Sequence, residues 1–252
     1  MNASLKYFFE NILGSIISKN PEISTLSAAE LNLALDKKLK SVNVHKPTKL
    51  CRLMKGQNSD KGIARHNYTT VYDALFSDMR KEVSEMFEMG IGTNNTSYSY
   101  NMGKKGTPGA SLRGWSTYFT EANVYGADID KGALFEEDKI KTYYCDQLDS
   151  SVIKNMWNEI GTSKEFEVII DDGLHTFEAN VSLFEASIHK LSKKGYYVVE
   201  DVKLDDLPKW NELIKDKYLS EFPNLVFVNV KLPNRPLRDI ADNNLVVMYY
   251  SR

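Results

Sequence analysis

The chain has 252 residues, 42% hydrophobic and 26% charged, enough for one sizeable core with a small extension. A net charge of −2 leaves no global basic field for nucleic acid; two cysteines, Cys51 and Cys145, rule against a disulfide framework and suit a reducing cytoplasm. No apolar stretch approaches the roughly 20 residues that span a bilayer, and the apolar NILGSIIS follows Glu10 without a small-residue cleavage site, which argues against a secretory signal.

Residues 1–50 read as a helical extension and 51–252 as the main domain. LKYFFENILGSIIS has apolar positions at helical spacing, and that stripe is the basis for expecting a homo-oligomer. Ser27 is placed to cap a second helix, AAELNLALDKKLK, with Glu30 as its capping-box partner. Residues 36–65 carry nine Lys/Arg against two Asp, either a solvated face or an attraction for an anionic substrate or carrier. In the next segment Tyr68, Tyr72 and Phe76 repeat at steps of four, most simply packing, with His66 and Tyr68 alternatively facing a ligand.

Strands and helices then alternate. EMFEMGIG, NVYGADID, KIKTYYCD, FEVIIDD and GYYVVED read as strands, separated by helices over ASLRGWSTYF, SSVIKNMWNEIG and a segment placing Phe177, Val181, Phe184, Ile188 and Leu191 on one face. LPKWNELIKDKYL is a further helix, and NLVFVNV and NNLVVMYY are two closing strands. The fold class is therefore α/β: a doubly wound, mostly parallel seven-stranded sheet of Rossmann-like type, its last strand antiparallel. Ligands of such sheets sit at the carboxyl ends of the strands, where strand order reverses.

Acids gather at those ends. Glu88 and Gly90 end the first strand of the alternating region; a glycine there lets a ligand approach backbone closely, although it equally serves a turn. The spacing is not GxGxxG, which argues against a nicotinamide enzyme. Asp128, ending the next strand, is placed for ribose hydroxyls, and Asp146, ending the third, for an adenine amino group. Asp171, Asp172, Glu200 and Asp201 end two strands expected to be adjacent. Converging carboxylates repel unless a cation neutralises them, and hard oxygen ligands suit Mg²⁺, Ca²⁺ or Mn²⁺. His175 lies within one turn of Asp172 and suits proton abstraction near pH 7; the bland alternative makes one of the aspartates a helix cap.

In order, SDKG…HNYTTVYDALF, FEMGIG, SLRGW, VYGADID, CDQ, IIDDGLH and GYYVVED resemble the class I S-adenosylmethionine-dependent methyltransferases. More closely, residues 55–202 resemble the metal-dependent sugar O-methyltransferases of the macrocin and mycinamicin type. The resemblance implies S-adenosyl-L-methionine held by Glu88, Gly90, Asp128, Asp146 and Asp171, with Ser59, Asp60 and Lys61 close by. It implies Mg²⁺ or another divalent cation on Asp172, Glu200 and Asp201, with His175 as general base beside Asp172; His66 and Tyr68, read above as alternatively facing a ligand, are then expected toward the acceptor. The expected reaction is methylation of a hydroxyl on a sugar, natural-product or surface-polysaccharide (capsule) precursor in the cytoplasm. A phosphoryl, phosphoramidate or carboxyl acceptor is the first rival. A metal-dependent hydrolase or hydroxylase is the second, weakened because no second histidine stands near the acids in the sequence. A non-catalytic binding protein of the same fold is the third.

Overall fold

The computed structural model describes residues 19–63, 65–233 and 242–251. The first expected helix, LKYFFENILGSIIS, lies outside the described residues. Nine strands form one sheet: β1 (Glu22–Leu26), β2 (Glu85–Met89), β3 (Asn123–Asp128), β4 (Glu136–Glu137), β5 (Ile140–Tyr144), β6 (Phe166–Asp171), β7 (Leu191–Val199), β8 (Leu225–Lys231) and β9 (Asn244–Tyr250), in the order β1-β8-β9-β7-β6-β2-β3-β5-β4. The pairs β2–β3, β2–β6, β3–β5 and β6–β7 are parallel, and β9 runs antiparallel to both β7 and β8. All seven expected strands are present, and β1 and β4 extend the sheet at its two edges.

Strand order reverses between β2 and β6. From β2 the chain winds through β3 to β5, then returns to the other side of β2 for β6 and β7. These strands are buried on both faces, as a sheet covered by helices requires. Along β6, Val168 and Ile170 join one apolar cluster, while Phe166 and Ile169 join the other.

The helices are α1 (Leu33–Lys40), α2 (Lys49–Gly56), α3 (Tyr68–Phe76), α4 (Ala110–Tyr118), α5 (Ser150–Ile160), α6 (Phe177–Ser187) and α7 (Leu207–Leu213), the last running on through a π-helical turn at Ile214–Tyr218. Two expectations are corrected. The helix predicted over 28–40 begins only at Leu33, where the Asn32 side chain accepts from the Leu35 amide. Ser27 does not cap it, because its hydroxyl folds back on Ala29, and the segment before it pairs with β8 as β1. The apolar stripe drawn from Phe177 to Leu191 also outruns its helix, since Leu191 already starts β7. Within residues 19–50, Leu35, Leu39, Val42 and Val44 are buried in the main core.

Gly90, just past β2, has φ +84°, and a Cβ there would lie 1.8 Å from the Asp172 carbonyl oxygen. The two strand ends thus touch through backbone alone. Gly103 has φ +70° with nothing within 4 Å of a Cβ. Gly103→Ala is expected to cost the left-handed penalty alone, about 1–2 kcal/mol. Gly90→Ala adds a backbone clash and should cost clearly more, about 3 kcal/mol or above. Urea unfolding of both variants checks this; equal losses would show that the approach of β2 to β6 is not tight.

Candidate active site

The carboxyl ends of β2, β3, β5, β6 and β7 open on a cavity of about 520 Å³, within the usual range for a small-molecule site. Backbone hydrogen bonds continue the pairing past the strands. The Asp172 amide donates to the Met89 carbonyl at 2.9 Å and the Glu200 amide to the Asp171 carbonyl at 2.8 Å. Sheet register therefore sets Asp172 and Glu200–Asp201 side by side.

Their charge is met from a distant part of the chain. The Lys61 ammonium, 1% exposed, lies 2.6 Å from Asp172 Oδ2, 2.7 Å from Glu200 Oε2 and 3.7 Å from Glu88 Oε1. Burial alone would lower its pKa, but the three carboxylates outweigh that and hold it well above the ordinary lysine value. Burial pushes Asp172 up to about 7 despite the opposing pull of Lys61, and raises Glu200 well above the ordinary range. Glu200 also accepts from the Tyr72 hydroxyl, and Asp201 from the Tyr68 hydroxyl. The four-residue repeat on α3 thus packs and, at two of its three positions, binds the acids.

Two histidines flank Asp201. His175 Nδ1 lies 2.8 Å from Asp201 Oδ2, which leaves Nε2 facing Asp172 Oδ1 at 3.9 Å. His66 Nδ1 lies 3.2 Å from Asp201 Oδ1, an ion-pair contact without hydrogen-bond alignment. Burial works against the charge on both imidazoles, but Asp201 outweighs it and raises each to about 9. Burial likewise opposes ionisation of Asp201, yet the two histidines hold it far below the usual carboxylate range. His175 and Asp201 both have left-handed backbone, φ 58° and 51°, a conformation costing non-glycine residues about 1–3 kcal/mol and concentrated at functional sites. The expectation that no second histidine stands near the acids is overturned: the turn before α3 carries His66 to them across the fold. The helix-cap alternative fails as well, because Thr176 caps α6.

Ser59, Lys61, His66, Gly90, Asp128, Asp146, Asp172, His175, Glu200 and Asp201 line this one cavity. Three of the singled-out residues do not. Glu88 is fully buried behind it, accepting from Ser111 and from the Trp115 indole. Asp171 is fully buried beneath it, accepting from Gln147 Nε2 at 2.7 Å and Asn180 Nδ2 at 2.9 Å, its pKa pushed up by burial to about 6. Tyr68 reaches it through Asp201 and by stacking on His66. These residues brace the cavity, Asp171 by holding the loop that carries His175 and Glu88 by holding Lys61. Asp128 accepts from the Ile91 and Asp130 amides and is raised by burial. Lys61 as counter-ion, Tyr72, Gln147 and Asn180 were not legible in the sequence; a lone asparagine among the apolar residues of α6 was the faint signal for the last.

Among the described residues, Asp172, His175 and Asp201 offer ligand atoms all within 4.8 Å of one another, close enough to share one metal ion. Two carboxylate oxygens and one imidazole nitrogen at the cavity wall fit an oxygen-loving divalent cation. Glu200 stands outside this group, with Lys61 and Tyr72 each on one of its oxygens, and the oxygens of Asp201 are engaged in turn by Tyr68 and His175.

No family model matches the chain. It is 30% identical over 151 residues, 60% of its length, to the 8-demethyl-8-α-L-rhamnosyl tetracenomycin-C 2'-O-methyltransferase of Streptomyces olivaceus. It is 33% identical over 137 residues, 54% of its length, to the demethylmacrocin O-methyltransferase of Streptomyces fradiae. Those matches span 37% and 32% of the relatives' own lengths, so the chain corresponds to about a third of each. Among solved structures, the MycE methyltransferase of the mycinamycin pathway, in complex with Mg, SAH and mycinamycin VI, superposes with a TM-score of 0.59 at 23% identity. That likeness covers 88% of this chain and 59% of MycE, and establishes the shared fold.

Two predictions test the electrostatics. Lys61→Met removes the one ammonium among Glu88, Asp172 and Glu200 and should cost about 3–5 kcal/mol at pH 7.5. The loss should shrink at pH 5, where the stranded carboxylates take up protons; an unchanged loss would sink the assignment. In metal-free buffer, Asp171, Asp172, His66 and His175 all have folded pKa values above their ordinary ones. Each therefore stabilises the fold below its ordinary pKa and ceases to as pH rises through its folded value. Asp201 has the opposite sign and contributes above its ordinary 3.8. Stability with chelator present should thus fall from about pH 5 to about pH 9, and the His66→Gln, His175→Gln double variant should flatten the upper half.

Proposed function

We propose that this chain, which has the Rossmann-like fold of the class I methyltransferases, is an S-adenosylmethionine-dependent O-methyltransferase that uses a divalent metal to methylate a neutral sugar hydroxyl. The carrying observation is His175, fixed at Nδ1 by Asp201 with Nε2 directed toward Asp172 at the cavity. The sugar O-methyltransferases to which the chain is similar support the reaction class.

S-adenosylmethionine supplies an electrophilic methyl on its sulfonium. Gly90, Asp128 and Asp146 line the cavity and would take it, the ribose at Asp128 and the adenine at Asp146. When bound at Asp172 and Asp201, a divalent cation supplies Lewis acidity toward the acceptor hydroxyl and positive charge that offsets the carboxylates' hold on the His175 proton. His175 Nε2 takes the hydroxyl proton as the new oxygen–carbon bond forms and the carbon–sulfur bond breaks. Asp201 keeps the imidazole oriented and stabilises it once protonated, a task that suits a carboxylate held ionised. Lys61 keeps Asp172 and Glu200 in place, and alignment of oxygen, methyl and sulfur supplies much of the rate.

The cavity carries Asp60, Asp128, Asp146, Asp172, Glu200 and Asp201 against Lys61 and two histidines. Such a lining disfavours a phosphoryl, phosphoramidate or carboxylate acceptor and suits a neutral polyol. Whether the sugar belongs to a natural product or a capsule precursor is a matter of what lies beyond this cavity, and the relatives favour the former.

Calorimetric titration with S-adenosylhomocysteine tests the cofactor, with binding expected both with Mg²⁺ and after chelation. His175→Ala should leave that affinity within about twofold and lower turnover about 10²–10⁴-fold. Equal loss of both would remove His175 from the proton transfer, and absence of binding would end the methyltransferase assignment.

A further inference from the structure

The loop between β2 and α4 has no counterpart in the chemistry described so far, yet it is folded firmly over the cavity. Thr93 donates to the Asp130 carboxylate, the Met102 amide to the Thr93 carbonyl at 2.8 Å, Asn94 Nδ2 to the Gly106 carbonyl at 3.0 Å, and the Gly109 amide to the Ile91 carbonyl at 2.7 Å. Met102 fills the space that side chains at Gly92 and Gly106 would need: a Cβ at Gly92 would lie 2.3 Å from its sulfur and one at Gly106 2.2 Å from its Cβ. The loop thereby brings Tyr98, Ser99 and Tyr100 to the cavity wall.

Tyr100 stacks on His175, ring centroids 5.4 Å apart and planes inclined by 28°. It nevertheless remains 55% exposed, so the contact with His175 covers only part of the ring. Tyr100 is thus a partly open aromatic surface against the proposed base, in a cavity otherwise rich in carboxylates. That pairing matches the two characters of a pyranose, whose hydroxyls seek polar partners and whose C–H face is apolar.

We propose that Tyr100 is the acceptor-positioning residue of this site. One part of its ring holds the His175 imidazole, which Asp201 holds at Nδ1, and the open part packs against the C–H face of a pyranoside. The sugar hydroxyl is then presented to Nε2 of His175. This rests on the methyltransferase assignment and its sugar acceptor, and adds to them the residue that positions that acceptor.

The test uses the full chain with S-adenosylmethionine, Mg²⁺ and a panel of methyl pyranosides of rhamnose, glucose, galactose and mannose, alongside calorimetry with S-adenosylhomocysteine. Wild type, Tyr100→Phe and Tyr100→Ala should bind S-adenosylhomocysteine within about twofold of one another, since Tyr100 serves the acceptor. Tyr100→Ala should raise the acceptor KM about tenfold or more, with a smaller fall in kcat. Tyr100→Phe, which keeps the ring and loses the hydroxyl, should remain near wild type. An unchanged KM in Tyr100→Ala overturns the proposal, as does a parallel loss of S-adenosylhomocysteine affinity, which would mark a structural role. Wild type that binds S-adenosylhomocysteine yet methylates no pyranoside overturns the acceptor class and leaves the cofactor assignment standing. Wild type that does not bind S-adenosylhomocysteine overturns both.

Discussion

The Lys61 ammonium is the interaction on which the site depends. The sheet register forces Asp172 and Glu200 together, and Glu88 lies just behind them. Three carboxylates in a buried pocket are not tolerable without a cation, because their mutual repulsion adds to the cost of removing each from water. Lys61 sits at their centre, and Glu88 is itself tied to Trp115 and Ser111 on α4. The charge centre is therefore welded to both the sheet and the helices covering it.

Around this centre the acids are sorted by partner. Glu200 is taken up by Lys61 and Tyr72, Asp201 by two histidines and Tyr68, while Asp172 keeps one oxygen toward the cavity and His175. Similar carboxylates at adjacent strand ends thus acquire different properties, Asp201 firmly ionised and Asp172 raised to about 7. Left-handed backbone at His175 and Asp201 holds the pair in register at an energetic cost. Asp171, Gln147 and Asn180 offset part of that cost by pinning the loop between.

Two kinds of residue were misplaced by the sequence, and each for a physical reason. Asp171 is turned from the cavity because side chains alternate across a strand and Asp172 takes the other face, whereas Glu88 shares the face of Asp128 and Asp172 but pairs with Ile170, two residues short of Asp172 and so deeper in the sheet. Ser27 has a capping residue's chemistry, yet its hydroxyl satisfies Ala29 locally while pairing with β8 claims the preceding residues for an edge strand. His66 was read toward a ligand but not beside the acids, because its partner Asp201 is 135 positions away in the chain.

What the sequence determined by itself is periodic and local. The alternation of strand and helix, the seven inner strands, the helix faces at steps of three and four, and the placing of acids at strand ends all follow from hydrophobic spacing over ten or so residues. The class of site follows too, since ligands of such a sheet meet its carboxyl edge. What only the tertiary structure decided is partnership. Lys61 meets Asp172 and Glu200 across 111 and 139 positions, and Tyr72 and Tyr68 meet Glu200 and Asp201 across 128 and 133. No local period encodes such distances. They arise when parallel register and crossover connections bring one helix over the ends of two strands, and only then does each carboxylate acquire the neighbours that set its charge.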